Sequence, residues 1–228
     1  VSEQQRQAIV DLLRSGPDPA TLSVAELRSM IDQGGAVTKP PADVVLERVH
    51  IGEMPAEWSA APDADPASAL LYFHGGGFVF GSVTSHRGVI AQLGSLAGVR
   101  TLAIDYRLAP ENRFPAALED ALASYRFLLA QGVDAKHIVV AGDSAGAGLV
   151  IASLIALRES GTPLPAAALC MSPWVDMSLR GESMDTKEDL DVLVSRAQQG
   201  RCIRSSTPST VDTLRRPRPP STSRACRP

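Results

Sequence analysis

Apolar positions in the first forty residues recur at helical spacing, over 4–13 and again over 23–31, where Ser23 and Glu26 form a capping box. Gly34-Gly35 and Pro40-Pro41 end this lead-in. Residues 44–51 read as a strand, and 55–66 as a second short strand running into a loop. The period then alternates. Short continuous apolar runs at 69–73, 100–104, 137–141 and 166–171 read as buried strands, and helical periodicity covers 83–97, 115–131 and 145–160. Pro115 falls at the first turn of its helix, a favourable place for proline. Continuous strands separated by helices of this length predict an α/β fold with a mostly parallel central sheet covered by helices on both faces.

Composition narrows the class. A 44% apolar chain of 228 residues supports one domain with a sizeable core. The longest uncharged apolar run, 145–157, falls short of the roughly 18 residues a membrane span needs. The first residues lack the basic start and apolar core of a signal peptide, and three Cys cannot make a disulfide scaffold, so a cytoplasmic location is expected. No Cys/His spacing suggests a metal. The net charge of −3 hides a break: residues 200–228 carry seven Arg and one Asp, the rest 15 basic and 24 acidic residues. Three segments are therefore expected. They are N-terminal helices over 1–40, a core over 41–199, and a basic Arg/Pro/Ser tail over 200–228 without helical or strand period and disordered.

Two motifs carry chemistry. Gly142-Asp143-Ser144-Ala145-Gly146 fits G-x-S-x-G, with a β-branched strand before it and an apolar helix after it. A sharp turn there lifts the Ser144 hydroxyl out of the sheet. Gly142 and Gly146 allow strand and helix to approach, and the helix N-terminus favours negative charge beside Ser144. The pentapeptide alone also fits an ordinary glycine-rich turn. His74-Gly75-Gly76-Gly77 follows a predicted strand, and its successive backbone N–H groups suit an oxyanion, although such a loop also serves to bind phosphate or simply to turn. No G-x-G-x-x-G or P-loop sequence accompanies it.

HGGGFVFGS at 74–82, DYRLAPENRFPAALEDA at 105–121, GDSAGAGL at 142–149 and SPWVD at 172–176 together resemble the hormone-sensitive-lipase family of microbial esterases. The likeness runs over about 5–199. It implies an α/β-hydrolase fold whose helical cap is built partly from the N-terminal segment. It also implies a serine carboxylic-ester hydrolase acting on small esters of short or medium acyl chains, with no cofactor, no metal and no nucleic-acid partner. By motif position Ser144 resembles the nucleophile, and the N–H groups of Gly76, Gly77 and Ala145 the oxyanion hole. His74, Gly75, Gly142, Asp143 and Gly146 fall near the site in structural roles. Asp105, Arg107, Glu111 and Asp120 read as a buried polar brace beneath it. Asn112-Arg113 stands where many relatives carry His-Pro.

The resemblance stops short of a full triad. Its order is Ser, then Asp or Glu, then His, yet His50, His74, His86 and His137 all precede Ser144. Asp176, Asp185, Asp189 and Asp191 lie too close after it to be the acid. The expectation is a chain truncated or read out of frame after about residue 199, lacking its last strands, catalytically inactive, and left with an exposed apolar edge at 166–171. The alternative is a non-catalytic small-molecule binder, or a remnant, on the same fold.

Overall fold

The computed structural model describes residues 2–17, 19, 21–35, 37–187 and 190–207. Two helices come first, α1 (Glu3–Ser15) and α2 (Val24–Gly35). The strands are β1 (Val45–Ile51), β2 (Met54–Ala60), β3 (Asp65–Phe73), β4 (Val99–Ile104), β5 (Ile138–Asp143) and β6 (Ala167–Met171). Between and after them run α3 (Val83–Ala97), α4 (Ala116–Ala130), α5 (Ala145–Glu159), α6 (Ser183–Thr186) and α7 (Arg196–Ser206). One six-stranded sheet has the order β1-β2-β4-β3-β5-β6. β4, β3, β5 and β6 are mutually parallel, and β1 and β2 join as an antiparallel pair.

Burial on both faces explains the continuous apolar runs of β3, β4 and β5, whereas β6, expected to be buried as well, is exposed over Ala167–Leu169 because it is the last strand of the sheet. On β3, Leu71 and Phe73 pack with Tyr125 and Leu128 of α4 and Leu149 and Val150 of α5. Their neighbours Leu70 and Tyr72 point the other way, toward Val83 and Ile90 of α3. A period of two placed between two helical layers leaves no position for a polar residue. Helix ends follow their sequence signals. Ser82 caps α3 by accepting from the Ser85 N–H, and Gly98 ends it in the left-handed region. Ser23 and Glu26 bond reciprocally at the start of α2. Pro115 stands just before α4 rather than inside its first turn.

Three readings of the sequence need correction. The short strand and loop expected over 55–66 are present as β2 to Ala60 and the turn after it, but Asp65 and Pro66 already belong to β3, which starts four residues earlier than its apolar run. The composition break at 199 is not a structural boundary, because α7 crosses it. Ser195 caps that helix, Cys202 and Ile203 are buried, the Ser206 carbonyl accepts from Phe114 N–H, and Arg201 donates to the Leu22 carbonyl. The remainder of the expected tail, 208–228, lies outside the described residues. The polar brace is also less buried than expected. Asp120 is buried and receives Arg107, but Glu111 is an exposed partner of Arg28.

β6 bonds only to β5 within the sheet, so its outer edge is open among the described residues, and Leu169 is 40% exposed. Among the described residues no helix is long and apolar enough to cross a membrane.

Candidate active site

β5 ends beside the end of β3, with Gly142 opposite Phe73, and the chain turns sharply into α5 at Ser144. Ser144 takes φ 50° and ψ −116°, a conformation that is costly for a residue with a side chain. Neighbours hold it there. Its N–H donates to the Met171 carbonyl at 2.9 Å, and its carbonyl accepts from Trp174 N–H at 2.9 Å and Gly148 N–H at 3.1 Å. The end of β6 and the segment after it thus clamp the backbone of the turn from both sides. The two flanking glycines are sterically required: a Cβ on Gly146 would stand 2.1 Å from the Phe73 carbonyl oxygen, and one on Gly142 2.6 Å from the backbone of Gly146.

The loop after β3 comes alongside. Gly76 and Gly77 have φ 117° and 60°, and the Gly76 carbonyl accepts from both Val79 and Phe80 N–H at 3.0 Å. The backbone N–H groups of Gly76, Gly77 and Ala145 donate to no group among the described residues. These orphan donors belong to the same two segments that the sequence singled out.

Asp143 joins the segments. Its Oδ1 accepts from Gly75 N–H at 2.8 Å and from the Tyr72 hydroxyl at 2.9 Å, and its Oδ2 lies 3.5 Å from His86 Nε2. Burial acts to raise its pKa, but the bonds from His86, Tyr72 and Gly75 outweigh that and hold it below the ordinary carboxylate value. Tyr72 responds in the opposite sense: burial and the adjacent Asp143 charge push its hydroxyl far above the usual range.

The histidines fall into three environments. His74 is fully buried, stacked on Tyr106 at 4.2 Å, and donates through Nδ1 to the Gly75 carbonyl. Its Nε2 has no hydrogen-bond partner among the described residues, and burial lowers its pKa to about 4. His86 lies between Asp143 and the Ser85 hydroxyl. His50 on β1 and His137, just before β5, are exposed. Among the described residues no imidazole or carboxylate is hydrogen-bonded to the Ser144 hydroxyl. Asp176 holds the turn at Ser178, Asp185 pairs with Arg196, and Asp191 accepts from Leu193 and Val194 N–H. Asp189 lies outside the described residues. Among those residues no group of three or more His, Cys, Asp or Glu could hold a metal ion.

Two participants were not singled out from the sequence. Trp174 both clamps Ser144 and stacks its ring on Phe78 of the glycine loop, 6.3 Å between centroids. Cys202 of α7 packs on the same loop, so close that a Cβ on Gly77 would lie 2.7 Å from its Sγ. Trp174 sat in a quoted motif, whereas nothing in the composition of α7 marked Cys202.

A model of the α/β-hydrolase fold family matches residues 70–222. An acetyl-hydrolase from Streptomyces hygroscopicus is 47% identical over 167 residues, covering 73% of this chain and 54% of the relative. An esterase from Acinetobacter venetianus is 30% identical over 179 residues, 78% of this chain and 59% of its own length. The chain thus spans about half the length of the curated relatives it matches. Among solved structures, an esterase of the bacterial hormone-sensitive-lipase family superposes with a TM-score of 0.83 at 39% identity, over 89% of this chain and 68% of that one. A hormone-sensitive lipase from a metagenome library gives 0.84 at 32% identity, over 90% and 68%. With an elbow at Ser144, a glycine loop beside it and these relatives around it, the chain belongs to the α/β-hydrolase fold family, in its hormone-sensitive-lipase group.

Proposed function

We propose that this chain carries the nucleophile and oxyanion half of a serine carboxylic-ester hydrolase for small esters of short to medium acyl chains. Ser144 is the nucleophile, and the N–H groups of Gly76, Gly77 and Ala145 form the oxyanion hole. The observation that carries the reading is the pairing of a strained serine with three N–H groups that donate to nothing else among the described residues. Donors fixed in advance where charge develops stabilise a tetrahedral intermediate without reorganising. The names of the relatives, acetyl-hydrolase and esterase, point to the same chemistry.

The mechanism is acyl transfer. The Ser144 oxygen attacks the ester carbonyl, its proton passes to a base, and the carbonyl electrons move onto the oxygen facing the three donors. Collapse expels the alcohol and leaves an acyl-serine, which water then cleaves to the acid. Both halves need a base at the serine, and within the described residues solvent must fill that role. Sites deprived of triad members keep roughly 10³- to 10⁴-fold acceleration over water. The expected behaviour with a short p-nitrophenyl ester is slow nitrophenol release and an acyl adduct that builds up on Ser144, visible by mass spectrometry of its peptide. Ser144→Ala abolishes both. Equal release by the two proteins, with no adduct, would sink the proposal.

A further inference from the structure

A cavity of about 250 Å³ opens at the end of the sheet opposite Ser144. Pro66 and Ala67 at the start of β3, Arg100 at the start of β4, and Val133, Lys136 and His137 ahead of β5 form most of its wall. β5 runs six residues from here to the turn at Ser144, about 20 Å at the rise of a strand. We infer that this cavity binds the phosphate group of a small phosphate monoester through Arg100 and Lys136, as a site separate from the ester-hydrolase centre.

Arg100 supplies the first argument. Arg28, Arg87, Arg107 and Arg196 each grip a carboxylate. Arg100 is half-buried like several of these, yet no carboxylate among the described residues pairs with it, and its Nε is shielded from solvent without an acceptor. A cation drawn this far out of water with no acceptor is costly, and a ligand oxyanion relieves that cost. The guanidinium lies over the Trp58 ring, 4.5 Å from its centroid. That stacking fixes the plane of the fork, so its in-plane N–H edge is oriented before a ligand arrives.

The second argument is the charge and size of the wall. Arg100 and Lys136 face one wall carboxylate, Asp134, which is spent on its neighbour: it accepts from Lys136 N–H at 3.1 Å and pairs with Lys136 Nζ at 3.0 Å. Asp65, just outside the wall, accepts from Ala67 N–H and the Ser68 hydroxyl. The balance favours an anion. A phosphate monoester carries close to two charges at neutral pH and three terminal oxygens, enough for the guanidinium fork and the ammonium together. A carboxylate brings two oxygens in one plane and a single charge. The cavity has the volume of about eight waters at roughly 30 Å³ each, more than a phosphate group fills. Pro66, Ala67 and Val133 offer the remainder an apolar wall suited to the carbons of the esterified alcohol.

The test is a phosphorus NMR titration of the full chain with propyl phosphate and with inorganic phosphate, at constant ionic strength. One saturable site per chain is expected, with propyl phosphate bound several-fold more tightly than inorganic phosphate and butanoate at least tenfold more weakly in competition. Arg100→Gln should weaken propyl phosphate at least tenfold, and Lys136→Gln, an exposed change, several-fold. Asp134→Asn keeps the acceptor for Lys136 N–H but removes the opposing charge, so it should tighten binding several-fold, a gain that damage to the fold cannot imitate. Binding without saturation, an unchanged affinity in Asp134→Asn and Lys136→Gln, or butanoate bound as well as propyl phosphate would overturn the inference. Equal affinity for the two phosphates would overturn the monoester assignment. Ser144→Ala should bind propyl phosphate as the unaltered chain does, so this titration and the acyl-serine measurement succeed or fail separately.

Discussion

Acidification should destabilise this protein well above the pH at which its carboxylates titrate, and His74 is the cause. Its Nδ1 hydrogen is committed to the Gly75 carbonyl, which leaves Nε2 as a bare lone pair at 1% exposure, with no partner among the described residues. Protonating Nε2 would place a cation among Tyr106, His86 and the loop backbone. Burial opposes that strongly, and the Asp143 charge offsets it only in part, so the folded pKa falls from 6.5 to about 4. The unfolded chain binds this proton at its ordinary value. Stability is therefore complete above pH 6.5 and is lost as the pH falls toward 4, at about 1.4 kcal/mol per pH unit and ~3 kcal/mol in total. Asp143, whose pKa is depressed, adds a loss only below the ordinary carboxylate range. Asp105, raised chiefly by burial, works in the opposite direction as it gains its proton. Urea unfolding at several values between pH 4.5 and 7 measures the slope, and His74→Gln, which stays neutral throughout, isolates one residue's share. The slope of the variant should be shallower by up to one proton. Parallel loss of stability in both proteins would refute the reasoning, whatever their absolute stabilities.

Other expectations are simpler. Gly146→Ala should cost about 3 kcal/mol or more, seen as a Tm lowered by about 6–12 °C, because its Cβ would collide with the Phe73 and His74 carbonyls. Gly34→Ala, with nothing within 4 Å of its Cβ and a helical conformation, should instead raise stability by about 0.5–1 kcal/mol. Leu169→Lys on the open edge of β6 should raise the concentration at which light scattering begins, with stability unchanged to about 0.5 kcal/mol. Scattering that is equal in both proteins would mean that the β6 edge is not what associates.

The sequence was most legible where a local signal and the tertiary environment agree. α3 is bounded as its pattern indicates because Ser82 caps one end and Gly98 permits the left-handed turn at the other. The motif glycines were readable for a similar reason: contacts at Gly142 and Gly146 are backbone to backbone, and only one residue type satisfies them. α7 was missed because the residues it buries, Gly200, Cys202, Ile203 and Ser206, include only two apolar side chains and make no apolar stripe. β3 was read too short because its first residues, Asp65 to Ala67, are exposed and form no apolar run, and Asp65 holds them by accepting from Ala67 N–H and the Ser68 hydroxyl rather than by core packing. Asp143 was placed in the elbow, but its grip on Gly75 depends on a pairing 68 residues away in sequence. No local pattern announces such a contact.

That grip has a dynamic consequence. The carboxylate belongs to the residue immediately before Ser144, while the amide it holds belongs to the residue immediately before Gly76. Ser144 and the loop amides proposed as oxyanion donors therefore share one linkage of a few covalent bonds and one hydrogen bond. A motion of the sheet that displaces the turn at Ser144 therefore pulls on the glycine loop through this bond. The linkage also depends on the sheet, because the pairing of β3 with β5 is what brings Asp143 within reach of Gly75.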